Sequence, residues 1–210
     1  MSQDSNNDAS NNVDDNFTNS FDSNFNSNES LDALDISASE SIDDEIINNY
    51  YSREYLHSVM MATLTYIDKH LKSGLTLPYF EDIDVEQWQE KIKALDIYIT
   101  DEDEARELNL EAREKDYATN ILSYPSDLPA AIIGLMPTLP LGELVICHAV
   151  MLCEAAEQNK EAVQHISHLL IHGILHLFGF DHELGQAEQD EMESFEIEIL
   201  AGLNIPNPYI

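Results

Sequence analysis

Positive charge is what this chain has least of. Its 210 residues hold 9 Lys and Arg against 41 Asp and Glu, a formal net charge of -32. No Lys or Arg lies between Met1 and Glu45, where 12 of the acidic residues fall, and none follows Lys160. Without that leading stretch the remainder still carries a net of -20. Proteins that grip polyphosphates present a basic face, so this composition argues against tight, nonspecific nucleic-acid binding. Cysteine is also scarce. The two present, Cys147 and Cys153, fit a reducing cytosol rather than a disulfide scaffold. Cys147 sits in an apolar strand pattern and Cys153 in the helix after it, and both read as core or inert. No apolar run reaches membrane-spanning length. The first residues lack the basic region and apolar core of a signal peptide. The expectation is a cytoplasmic protein with no membrane contact.

At this length the chain reads as one domain with an appendage. Residues 1–44 are rich in Asn, Asp and Ser and bury too little surface to offset their ordering entropy. The sequence therefore predicts a disordered acidic tail over 1–44 and a folded domain over 45–210. Phe17, Phe21 and Phe25 recur every fourth residue in the tail, but the Asn and Ser around them are poor helix formers, so they read as incidental. Beyond the tail, Leu56, Val59, Met60, Leu64 and Ile67 predict a helix over 45–72, ended by Gly74. A short helix over 85–95 follows, then a strand ending at Thr100 and a helix over 101–111 capped by Asp101. Strands are expected at 120–124 and 143–147. The proline-rich apolar stretch between them reads either as a surface loop over the core or as a lip on the substrate side. Helices are expected over 148–159, 161–178 and 187–203. In the last, Met192, Phe195, Ile199 and Leu203 share a face, and Glu188, Glu191, Glu193, Glu196 and Glu198 read as a solvated surface. Few strands among several helices make an α+β domain.

The chemistry is concentrated in HGILHLFGFDH, from His172 to His182. Residues four apart share a helix face, so His172 and His176 point at one ion. Gly179 then takes the conformation that ends a helix, and the chain beyond brings His182 back as a third ligand. Three protein ligands leave one position open, the mark of a catalytic zinc rather than a structural one. The expected cofactor is one zinc ion, although nickel, copper and iron also accept three imidazoles. The helix is apolar nearly all round and therefore buried. His165, His168, His172 and His176 fall in one stripe about 80° wide. Unpaired buried polar groups cost roughly 1–3 kcal/mol each, and a metal supplies the missing partner for the triplet. His165 and His168 read instead as satisfied core residues. Asp181, beside a ligand, either orients an imidazole or shapes the turn. The spacing is also that of the metzincin proteases, HExxHxxGxxH, with one break: Gly173 stands where those enzymes carry the glutamate that serves as general base.

Three blocks resemble the YbeY family, the metal-dependent endoribonucleases of bacterial ribosomal RNA maturation. They are LNLEAREKDYATNILSYP (residues 108–125), LGELVIC (141–147), and HISHLLIHGILHLFGFDHE (165–183) followed by EMESFEIEIL (191–200). The resemblance implies a small mixed β-sheet packed with helices, the metal-binding helix buried against it. It also implies His172, His176 and His182 as metal ligands and Arg113 as the functionally important arginine near the metal. A guanidinium suits that role, because it can hold a phosphate bidentately. Ala112 and Glu114 depart from the tyrosine and glycine common in the family. The implied activity is hydrolysis of single-stranded ribosomal RNA in rRNA maturation, ribosome biogenesis and ribosome quality control. The implied partners are that RNA and the small ribosomal subunit or its proteins. RNA contact would rest on the metal, Arg113 and a few lysines such as Lys91, Lys93 and Lys115. Two alternatives remain at this level: a zinc peptidase or amidase with metzincin-like spacing, and a non-catalytic ribosome-assembly factor whose metal is structural.

Overall fold

The computed structural model describes residues 33–210. Its architecture is α+β, a four-stranded mixed sheet with helices gathered about one helix. The strands are β1 (Leu34–Ala38), β2 (Ile92–Thr100), β3 (Ile121–Pro125) and β4 (Thr138–Cys147), in the order β1-β2-β4-β3. β1 and β4 both run parallel to β2, and β3 is antiparallel to β4. The pleat puts Leu95, Ile97 and Ile99 of β2 on one fully buried face, while Asp96 between them is exposed. The sheet is thus covered on the face that carries the core.

The helices are α1 (Asp44–Tyr50), α2 (Arg53–Leu71), α3 (Val85–Glu90), α4 (Glu102–Arg113), α5 (Ala130–Ile133), α6 (His148–Glu157), α7 (Ala162–Leu177) and α8 (Gln186–Gly202). α7 is the hub: it lies on β3 and β4 and contacts α2, α6 and α8. Asp101 caps α4 as expected, accepting from the Glu104 amide at 2.9 Å. Among the described residues no helix is long and apolar enough to cross a membrane.

The structure differs from the sequence expectations in four places. The 1–44 stretch contains a strand: Leu34, Ile36 and Ala38 alternate with polar residues, and β1 pairs with β2 from Leu34↔Leu95 to Ala38↔Ile99. Residues 1–32, with Phe17, Phe21 and Phe25, lie outside the described residues. The helix expected over 45–72 is two helices. Tyr51 is buried with its hydroxyl 3.0 Å from His148 Nδ1, and Ser52 starts α2 afresh by accepting from the Tyr55 amide. The helix expected over 85–95 stops at Glu90, because the residues from Ile92 onward pair with β4 and, from Leu95, with β1. Tertiary pairing there overrides local propensity. Finally, the proline-rich stretch is mostly structured: α5 occupies part of it, and β4 begins at Thr138 rather than 143.

Candidate metal centre

From His165 to Leu177 every residue of α7 is buried except His168, His172 and His176, one residue per turn, each partly accessible. Those three positions are therefore the only stripe of that span of α7 that a ligand can reach. Gly173 faces the opposite way: a Cβ there would lie 2.7 Å from Leu144 Cδ2 and 2.8 Å from Ile121 Cδ1. The glycine is what lets α7 settle on β3 and β4. A longer side chain at this position would enter the sheet core rather than the histidine cluster.

α7 ends in a Schellman turn. Gly179 has φ 94°, its amide donates to His176 O at 3.0 Å, and the Phe180 amide donates to Leu175 O at 3.1 Å. The chain then reverses and carries His182 back to the helix. The ring centroid of His182 lies 5.1 Å from that of His172 and 5.2 Å from that of His176. Asp181 shapes this turn by accepting from the Glu183 amide at 2.9 Å, so the plainer of its two expected roles is the one seen. Among the described residues, His172, His176 and His182 form a group whose ligand nitrogens all lie within 4.8 Å of one another.

The protonation pattern suits a cation. A carboxylate only accepts, so the Glu196 Oε1 contact with His172 Nδ1 at 2.8 Å places a proton on Nδ1. In the neutral ring that proton leaves Nε2 of His172 as the acceptor nitrogen, and it lies 3.2 Å from Nε2 of His176. Burial, followed by the neighbouring His172 and His182, pushes the His176 imidazole down to about 4, so near neutrality it is a deprotonated donor. Three imidazoles with converging nitrogens are a donor set for zinc-like ions.

Glu196 was missed by the sequence reading, which assigned it to a solvated surface. It is 1% exposed. Oε2 accepts from His168 Nε2 at 3.0 Å while Oε1 takes His172. Burial pushes its carboxyl up, but the hydrogen bonds from His168 and His172 outweigh burial and bring it down to about 2. A signal existed in the sequence: Met192, Glu196, Ile199 and Leu203 repeat at helical spacing, which puts a carboxylate on the apolar stripe of α8. His165 is a core residue as expected, 2% exposed with Nε2 3.0 Å from Glu154 Oε2, but it is only half satisfied: its Nδ1, like that of His168, is buried without a hydrogen-bond partner among the described residues. Asn120 holds the same oxygen of Glu154 at 2.8 Å.

Arg113 is the last residue of α4 and is exposed. Its charge disfavours protonation of His176 and opposes the rise at Tyr124, in each case as the smallest contribution. Glu114 follows in the left-handed conformation, φ 58°, and closes the helix. The lysines do not all remain free for a polyanion. Lys93 is buried, donating to Trp88 O at 2.5 Å with its ammonium 4.8 Å from the centre of the Trp88 ring. Lys91 donates to Met136 O at 2.5 Å. Cys147 is buried as expected. Cys153 is exposed rather than core, and Glu157 beside it keeps its thiol protonated by raising its pKa.

The family model and the curated relatives name one family. The model of the family described as Endoribonuclease YbeY matches residues 61–204. A Psychrobacter cryohalolentis protein named Endoribonuclease YbeY is 88% identical over 152 residues, covering 72% of this chain and 98% of that protein. A Psychrobacter arcticus protein of the same name is 79% identical over 181 residues, covering 86% and 88% respectively. A Thermotoga maritima protein solved in solution is 19% identical, with 81% of this chain and 91% of that chain aligned at a TM-score of 0.42.

Proposed function

This chain belongs to the Endoribonuclease YbeY family, and from that premise we propose that it is a hydrolase that cuts single-stranded ribosomal RNA with the help of one zinc ion. Its place is in rRNA maturation and ribosome quality control in the cytoplasm, with the small ribosomal subunit or its proteins as partner. The observation that carries this reading is the convergence of three imidazole nitrogens on the accessible stripe of an otherwise buried helix.

His172, His176 and His182 are the residues to hold the ion. A divalent cation held there would supply Lewis acidity and make water a nucleophile near neutral pH. The protein does the rest. The Nδ1 proton of His172, donated to Glu196, leaves Nε2 as the acceptor nitrogen and the ring fixed. Arg113, at the exposed end of α4, is free to reach a phosphodiester, pair with its oxygens and offset the charge that builds as phosphorus is attacked. Peptide hydrolysis is disfavoured, since position 173 faces the sheet and offers no base to the site.

The test is cleavage of single-stranded ribosomal RNA by metal-free and zinc-reconstituted protein, with elemental analysis of each preparation. Reconstitution is expected to restore cleavage. Arg113→Ala is expected to keep the ion and lose about 100-fold or more in rate, and His176→Ala to lose both. Cleavage that survives chelation, or that persists in His176→Ala, would overturn the proposal.

A further inference from the structure

We propose that the segment following α8 is a clasp on the metal centre, in which Tyr209 holds Glu196 and Glu196 holds His172, making both of them positioning residues for the ion. The inference rests on the metal reading above.

The segment has several separate attachments. After α8 the chain turns back through Asn204, which has φ 59°, and the Ile205 amide donates to Leu200 O at 2.9 Å. Lys160, in the link between α6 and α7, donates to Pro208 O at 2.6 Å. The Tyr209 amide donates to Asn207 Oδ1 at 2.8 Å. The Tyr209 ring stands edge-on to His168 with centroids 5.5 Å apart. Its hydroxyl donates to Glu196 Oε2, the oxygen that also accepts from His168 Nε2.

These contacts divide the Glu196 carboxylate between two tasks. Oε2 is held by His168 and Tyr209, so the plane of the carboxylate is set. Oε1 is then left pointing at His172 Nδ1, 2.8 Å away. An imidazole that donates Nδ1–H in this way has its tautomer decided and its rotation stopped, and Nε2 stays directed at His176 and His182. Without the tyrosine hydroxyl the carboxylate keeps one fewer restraint and can turn. Partners of this kind typically change metal affinity by 10–100-fold when removed. Through Tyr209 the clasp links Glu196, and with it His172, to a segment distant from the histidine motif in sequence.

The experiment uses the full chain as wild type, Glu196→Gln and Tyr209→Phe. Metal-free protein is titrated with zinc against a chromophoric chelator, the melting temperature of each metal-free form is recorded, and long-range 1H–15N spectra read the tautomer of His172. Wild type is expected to show the Nδ1–H tautomer before zinc is added. Glu196→Gln is expected to bind zinc 10–100-fold more weakly, with a mixed tautomer at His172. Tyr209→Phe is expected to bind severalfold more weakly while melting within a few degrees of wild type. Wild-type zinc affinity and an unchanged tautomer in Tyr209→Phe would overturn the clasp, even if Glu196→Gln does not fold. Wild-type protein that takes up no zinc would overturn the metal reading itself.

Discussion

Position 173 sits next to a proposed ligand yet points away from it. The sequence shows only that the protease glutamate is absent; the structure shows that α7 rests on Leu144 and Ile121 at this residue. Gly173→Glu is therefore expected to bury a carboxylate in the sheet core, cost more than about 3 kcal/mol and create no peptidase activity. Thermal denaturation together with turnover of a peptide library checks both halves. Glu154 makes a second residue-scale prediction. The hydrogen bond from His165 holds its carboxyl below the ordinary value of 4.5, against burial, with Asn120 helping. A carboxylate whose folded pKa is depressed stabilises the fold above its unfolded pKa, and loses that contribution as pH falls through the folded value. Glu154→Gln should thus lower stability by about 1–2 kcal/mol at pH 7. The gap from wild type should close as the pH is taken below 4.5, which melting curves across pH 3–7 would register.

Among the elements, α7 and the turn after it build the site, and both were legible. The i, i+4 histidines and a following glycine specify a helix face and a helix end, which are local properties. The Schellman turn at Gly179 is the consequence, and it carries a strict requirement: φ is 94°, and a Cβ would lie 2.8 Å from Pro78 Cβ and 3.1 Å from the Tyr79 ring. Gly179→Ala is expected to cost about 1–3 kcal/mol and, because His182 is only three residues on, to weaken zinc binding as well. Melting of the metal-free variant and a zinc titration separate the two effects. What was not legible is the partner of His172. Glu196 lies 24 residues later on another helix, and a charged residue among many glutamates reads as surface until α8 is known to pack its Met192–Glu196–Ile199 stripe on α7. β1 escaped notice for a similar reason. Five residues in a polar context have no strand identity of their own until the open edge of β2 accepts them.

For the whole molecule the governing quantity is charge. The formal net of -32 repels a polyanion, and tertiary structure reduces the available cations further. Arg106 is paired with Asp116 at 2.6 Å, Lys93 is buried, and Lys91 and Lys160 are tied to backbone carbonyls. A protein neutralising several phosphates loses affinity steeply with salt, whereas one or two contacts on a single strand give a shallow slope of about -0.7 per contact. Raising salt from about 50 to 200 mM should accordingly weaken RNA binding here by less than about tenfold. A loss of about 1000-fold, the behaviour of a protein with many phosphate contacts, would show that a basic surface forms after all. Fluorescence anisotropy of a labelled single-stranded RNA at the two ionic strengths decides it.

By itself the sequence determined the features that depend on near neighbours along the chain: the α+β class, the capped start of α4, the histidine stripe and the glycine turn that returns His182 to it. Backbone periodicity and conformational preference act over a few residues and leave a direct imprint. Only the tertiary structure decided which side of α7 meets the sheet, which carboxylate holds His172, which lysines are spent on the fold, and that a strand at residues 34–38 completes the sheet edge. Those outcomes depend on which surfaces meet across long sequence separations, where burial and hydrogen-bond satisfaction outweigh any local preference.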